Sequence, residues 1–181
     1  MFERLLEVLA KSLEQNHIEY LIVGGQAVLI YGEPRLTRDI DVTLGVGTER
    51  LPDIRRIAQD LRWEILTDSP ESFVKETMVL PCLDPESGIR IDFIFSFSEY
   101  ERQAMERAKQ VKIGQTQVRF ASVEDLLIHK VVAGRPRDLE DARTVVLKNP
   151  KIDVSYIEKW LRQFEKSMSQ PLLQGFRDLV R

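Results

Sequence analysis

The chain opens with leucines at helical spacing: in "FERLLEVLAKSLEQN" apolar residues return every three or four positions, which predicts an amphipathic helix. "EYLIVG" follows as a short apolar run and predicts a buried strand. "GQAVLIYG" predicts a brief helix, closed by Gly32 and the breaker "GEP". In "RDIDVTLGV" the period drops to two. Asp39, Asp41 and Thr43 alternate with Ile40, Val42 and Leu44, so a strand is expected with the acids on one face. "LPDIRRIAQDLR" predicts a helix and "WEILT" a strand. A loop is expected around "DSPES", then a strand at "ETMVLPCL" that Pro81 should confine to a sheet edge. "GIRIDFIFS" is the strongest strand of the second half. "SEYERQAMERAKQ" predicts a helix, and "QVKIGQTQVRFA" a hairpin turning at Gly114 and Gln115. From Ser122 onward only helices are expected.

Mixed α/β patterning therefore gives way to an all-helical run near residue 122, with neither a repeat nor a low-complexity linker between. The expectation is an α+β fold, a mixed β-sheet flanked by helices. Residues 1–121 would form its core, with 122–181 a helical C-terminal subdomain packed on it.

Composition narrows the classes. The 181 residues are 43% hydrophobic and 30% charged, which suits one globular domain with a real core. No apolar run approaches the roughly 18 residues of a membrane span. The N-terminus carries acids where a signal peptide would be apolar. A cytoplasmic, non-membrane protein is expected. The single cysteine, Cys82, excludes an internal disulfide, and with only His17 and His129 a structural zinc site is not expected. A net charge of -3 argues against non-specific binding along a nucleic-acid backbone. A local basic patch runs from Lys130 to Lys151, and most of its charges read as a solvated helical surface.

The chemistry concentrates in "LIVGGQAVLIYGEPRLTRDIDVTL". Asp39 and Asp41 project together from one strand face, and close carboxylates repel unless a cation neutralises them. Magnesium suits oxygen ligands and keeps positions for phosphates and water. Asp92, in "RIDFIF", would join them if its strand lies alongside. "VGGQAV" reads as a strand-to-helix turn whose free N–H groups and positive dipole end would cradle phosphate, with Gly24 and Gly25 letting it approach the backbone. No Gly-Lys-Ser/Thr follows, so this is not a Walker-type loop.

The ordered set "VGGQAV…RLTRDIDV…RIDFI" resembles the DNA-polymerase-β-like nucleotidyltransferase superfamily. With "DLLIHKVVAGRPRDLEDARTV" it is similar to the minimal nucleotidyltransferases that include the AbiEii/MenT-type toxins, over residues 18 to 147. The resemblance implies a nucleotidyltransferase-like fold and transfer of a nucleoside monophosphate from an NTP to a hydroxyl acceptor, with release of pyrophosphate. It implies Asp39, Asp41 and Asp92 as ligands of two Mg2+ ions (or Mn2+), Asp92 also helping to deprotonate the acceptor. Lys130 would touch phosphates, and the nucleotide set would be Gly24, Gly25, Thr37, Arg38, Lys130, Asp138 and Asp141. The acceptor implied is tRNA or a protein, with an antitoxin as partner. An antibiotic-modifying adenylyltransferase and a non-catalytic nucleotide-sensing or partner-binding module are the alternatives. Larger relatives carry a separate RNA-binding domain, and no counterpart of it is expected in these 181 residues.

Plainer readings compete at each position. Asp39 and Asp41 could be structural acids bridged to Arg35 and Arg38, and Asp92 could pair with Arg90. Lys130 could be a solvated helix charge, and His129 an ordinary satisfied histidine. Thr37 could satisfy a loop amide. Asp138 and Asp141 read more readily as a capping-box-like helix start than as ligands. Cys82, Trp63 and Trp160 read as packing residues.

Overall fold

A computed structural model describes residues 1–180. Among them one seven-stranded mixed sheet runs in the order β3-β4-β5-β2-β1-β7-β6. The strands are β1 (Tyr20–Ile22), β2 (Asp39–Leu44), β3 (Glu64–Ile65), β4 (Val79–Asp84), β5 (Ile89–Phe95), β6 (Lys109–Ile113) and β7 (Thr116–Phe120). The helices are α1 (Phe2–Gln15), α2 (Gly24–Tyr31), α3 (Leu51–Asp60), α4 (Pro70–Thr77), α5 (Glu99–Glu106), α6 (Val123–Ala133), α7 (Pro136–Lys148), α8 (Val154–Met168) and α9 (Leu172–Leu179). The α+β class expected from patterning is the fold observed.

Alternation in β2 and β5 explains why the sheet centre carries both the core and the acids. Ile40, Val42, Ile91 and Phe93 are fully buried, while Asp39, Asp41 and Asp92 are partly accessible. The hydrophobic core takes Leu5, Leu9 and Leu13 from α1, and Ile54 and Ile57 from α3. It continues into the C-terminal helices through Leu126, Val145, Leu161 and Phe176. Helix α2 packs on α6 and α7, so the glycine turn and the C-terminal helices are neighbours. Trp63 and Trp160 are buried packing residues, as expected. Cys82 is buried too, and burial pushes its thiol up to about 12, which makes it inert.

Two expectations need correction. The "DSPES" region is not only a loop: Pro70 starts α4, and proline at the first helical position gives up an N–H that has no partner there anyway. Strand β4 is not an edge, because it pairs with both β3 and β5. Pro81 is tolerated there because β3 pairs only with Leu83 and Cys82. Beyond them Leu66 N donates to the Pro81 carbonyl, so β3 never requires an N–H from Pro81.

Candidate active site

Strands β2 and β5 are parallel, in a register that sets Asp41 opposite Asp92 and Asp39 opposite Arg90. The accessible face of this pair therefore carries three carboxylates and one guanidinium. Burial, then the charges of Asp39 and Asp92, push the Asp41 carboxyl up to about 6, against the pull of Lys130 and Arg90. Among the described residues no ion pair joins Asp39 or Asp41 to Arg35 or Arg38. Arg35 instead grips Asp141, at 2.9 and 3.0 Å. The structural-acid reading of Asp39 and Asp41 thus lacks its partners. For Asp92 the plainer reading holds a real contact: Arg90 Nε donates to Asp92 Oδ1 at 2.7 Å.

The glycine turn is built against these acids. Gly24 has φ +60, and a Cβ there would collide with the Asp41 carboxylate, with Asp41 Cγ only 2.9 Å away. A Cβ on Gly25 would come within 2.5 Å of Thr37 Cγ2. The sequence had suggested that the bare glycines make room for phosphate. They first make room for Asp41 and Thr37. The N-cap of α2 is Val23, which offers no side-chain oxygen, so the first-turn amides of α2 lack a side-chain cap.

Gln26 was not foreseen. It is buried in the first turn of α2, donating to Thr37 Oγ1 at 2.7 Å and to the Asp39 carbonyl at 3.4 Å. It ties the glycine turn to the strand that carries the acids. Its signal was a lone amide inside the apolar run "GGQAVLIY". Thr37 therefore does satisfy an amide, that of a side chain.

Lys130 is not a solvated charge. It is buried in the last turn of α6, its Nζ 2.8 Å from Asp138 Oδ1 and 2.8 Å from Asp141 Oδ2. The capping reading of those two acids fails as well. The N-cap of α7 is Arg135, Asp138 lies in the first turn, and Asp141 lies further along the helix. Burial alone would push Asp141 up, but hydrogen bonds from Lys130 and Arg35 outweigh it and hold the carboxyl below its ordinary value. His129, beside Lys130, is half-buried with its ring edge-on to Tyr100 at 5.8 Å, and burial lowers its pKa.

These groups line one cleft of about 710 Å³. Gly24, Gly25, Thr37, Arg38, Asp39, Asp41, Lys130 and Asp138 face it, together with Arg35, Arg135 and Arg137, which sequence reasoning had left among solvated charges or structural partners. Asp141 lies behind, joining Lys130 to Arg35, and Asp92 adjoins through the strand register. The carboxylate oxygens suit a hard divalent cation rather than zinc, and the uncapped amides beside them suit an anion such as phosphate. As they stand, no three acid, histidine or cysteine side chains among the described residues are grouped to hold a metal, and Asp92 is committed to Arg90. The fit rests on Asp39 and Asp41. Arg90, half exposed, has room to release the third carboxylate.

A seven-stranded mixed sheet with a glycine turn abutting an Asp-x-Asp strand is the architecture of a nucleotidyltransferase. Residues 2–174 match the family described as nucleotidyltransferase of unknown function (DUF6036), and the chain belongs to that family. No curated protein matches it. Solved structures share the fold at low identity. A nucleotidyltransferase-like protein from Paracoccidioides brasiliensis is 16% identical, with TM-score 0.56, over 96% of this chain and 92% of that one. The antibiotic-resistance factor ANT(2'')-Ia is 16% identical, with TM-score 0.60, over 90% and 91%. The lincosamide antibiotic adenylyltransferase LnuA is 17% identical, with TM-score 0.50, over 74% and 89%.

Proposed function

We propose that the chain is a magnesium-dependent nucleotidyltransferase that moves a nucleoside monophosphate from an NTP to a hydroxyl acceptor. The observation that carries this reading is the set of like charges in one cleft. Asp39 and Asp41 lie beside Asp92, with Asp41 against an uncapped helix start, and among the described residues neither of the first two is in an ion pair. Such an arrangement is costly in the free protein and becomes favourable when positive charge arrives with a ligand. Magnesium held by Asp39 and Asp41, with Asp92 as a third carboxylate, would supply that charge against the phosphate oxygens.

The chain's own groups do the rest. Free amides at Gly24 and Gly25 hold the phosphate tail, and Arg38 at the cleft lip adds a guanidinium to it. Lys130 anchors Asp138 on the cleft wall, where a nucleotide would lie. The acceptor oxygen attacks the α-phosphorus, the bond from that phosphorus to the bridging oxygen breaks, and pyrophosphate departs. The hydroxyl proton passes to a carboxylate of the cluster, assigned to Asp92.

The resemblance to AbiEii/MenT-type toxins supports tRNA or a protein as acceptor, and a role as the toxin of a toxin–antitoxin pair with an antitoxin protein as partner. A second reading, an antibiotic-modifying adenylyltransferase, is favoured by the fold shared with ANT(2'')-Ia and LnuA. Each α-labelled NTP, incubated with magnesium, total tRNA and cell extract, separates these. Label should pass to one fraction in the wild type and be lost in Asp39→Asn/Asp41→Asn. Label on RNA or protein supports the first acceptor class and label on an added antibiotic the second. No label sensitive to the double variant would leave a non-catalytic nucleotide-binding module.

A further inference from the structure

Five cationic side chains line the cleft, Arg35, Arg38, Lys130, Arg135 and Arg137, against the acids Asp39, Asp41 and Asp138. The cleft is thus more positive than a chain of net charge -3 would lead one to expect. Two of the five are engaged. Lys130 sits between Asp138 and Asp141, and Arg35 holds Asp141. Arg38 lies next to Asp39 and falls to the nucleotide. Arg135 and Arg137 remain: both are exposed, and among the described residues neither is in an ion pair.

Their placement is fixed. They occupy the joint between α6 and α7, where Arg135 is the N-cap and Pro136 the first helical residue, its φ locked by the ring. Arg137 reaches over to the segment before β2, donating to the Leu36 carbonyl at 3.3 Å, and Arg35 donates to the same oxygen at 3.4 Å. The Leu36 side chain is left 73% exposed at the cleft lip. Two guanidinium groups without carboxylates, beside a bare aliphatic side chain, match a ligand carrying phosphates and flat apolar bases. They have the wrong sign for a polyamine-like acceptor.

We propose that Arg135, Arg137 and Leu36 form an acceptor subsite for the phosphodiester backbone of a single-stranded polynucleotide. The hydroxyl that accepts the nucleotide then belongs to a nucleic-acid end. This rests on the nucleotidyltransferase reading for its chemistry, but its binding test stands apart from activity.

The test is fluorescence anisotropy of the full chain with a labelled single-stranded oligoribonucleotide over a salt series, with MgATP binding followed by thermal shift on the same samples. In Arg135→Ala/Arg137→Ala the plot of log affinity against log salt should flatten by about 0.7 for each arginine lost. RNA affinity should fall by a larger factor than MgATP affinity. Leu36→Ser should weaken RNA with little change in slope, and Arg62→Ala, at an exposed position away from the cleft lining, should leave both properties of RNA binding as they were. Absence of RNA binding in the wild type, or an unchanged slope in the double variant, would overturn the proposal. So would a greater loss for MgATP than for RNA, which would assign the arginines to the triphosphate tail. Failure of MgATP to protect the wild type would count against the nucleotidyltransferase reading instead, whatever the RNA arm showed.

Discussion

Two charge clusters meet at the cleft, and they are built on opposite terms. Around Lys130 each charge has a partner: Asp138 and Asp141 take its ammonium at 2.8 Å, and Arg35 closes on Asp141 from the other side. Along β2 the charges accumulate instead. Asp41 faces Asp92 across the strand pair, and Arg90, which lies opposite Asp39, gives its guanidinium to Asp92. The first cluster is balanced in charge without a ligand, with only Asp138 Oδ2 left buried and without a hydrogen-bond partner among the described residues, and it fastens α6, α7 and the segment before β2 together. The second is incomplete, and its imbalance is what a cation and a phosphate would remove. Both are acids and bases in a half-closed site, so the sign of the local balance, rather than burial itself, separates framework from binding site.

The comparison can be broken most forcefully at the balanced cluster. Lys130→Met strands Asp138 and Asp141 in the interior with only Arg35 to help, and should lower stability by about 3–5 kcal/mol. Urea unfolding followed by circular dichroism measures it. A loss under about 1 kcal/mol, the scale of an exposed pair, would show that the cluster is no framework.

Gly24→Ala touches the junction of turn and acids. The left-handed backbone costs a side chain about 1–2 kcal/mol, and the collision with Asp41 adds to that. Thermal unfolding should register the loss, and magnesium-dependent protection by an NTP should vanish with it.

Asp41→Asn should act in the opposite direction. Its carboxyl is raised to about 6 in the folded state, above the unfolded value, so the native form prefers it protonated. As pH rises from about 4 to about 6 the wild type pays a growing penalty, which then stays constant at higher pH. The variant should therefore be more stable by about 3 kcal/mol at neutral pH without metal, and the difference should disappear below about pH 4. Melting curves across that range measure the sign directly.

The smallest effect is expected at Gln26→Leu. Loss of the bond to the buried Thr37 hydroxyl should cost about 1–2 kcal/mol. Thr37→Ser, which keeps the acceptor oxygen, should cost less in the same unfolding assay.

What could be read from the chain followed physical range. Alternation over "DIDVTL" and "RIDFIF" put the acids on one strand face, because a period of two is local information. That β5 would lie beside β2 was a condition, and the register supplied it. The Lys130 cluster was hidden for the opposite reason. Asp138 lies 8 residues from Lys130 across a helix break with Asp141 beyond it, and Arg35 meets Asp141 over 106 residues, so no local pattern joins them. Arg135 and Arg137 read as surface charge because charge runs usually are, and only the joint between α6 and α7 sets them on the cleft. Pro70 and Pro81 misled for one shared cause: proline's missing N–H forbids only positions that need it.

The central claim, that unbalanced carboxylates mark the ligand site, is tested most directly by melting wild type and Asp41→Asn at neutral pH, each with and without magnesium and a non-hydrolysable NTP. The account predicts a variant that melts higher than wild type when bare and gains nothing from the ligand, while the wild type gains several degrees by mass action. A variant that melts lower when bare, or is protected by the nucleotide as well as the wild type, would contradict it.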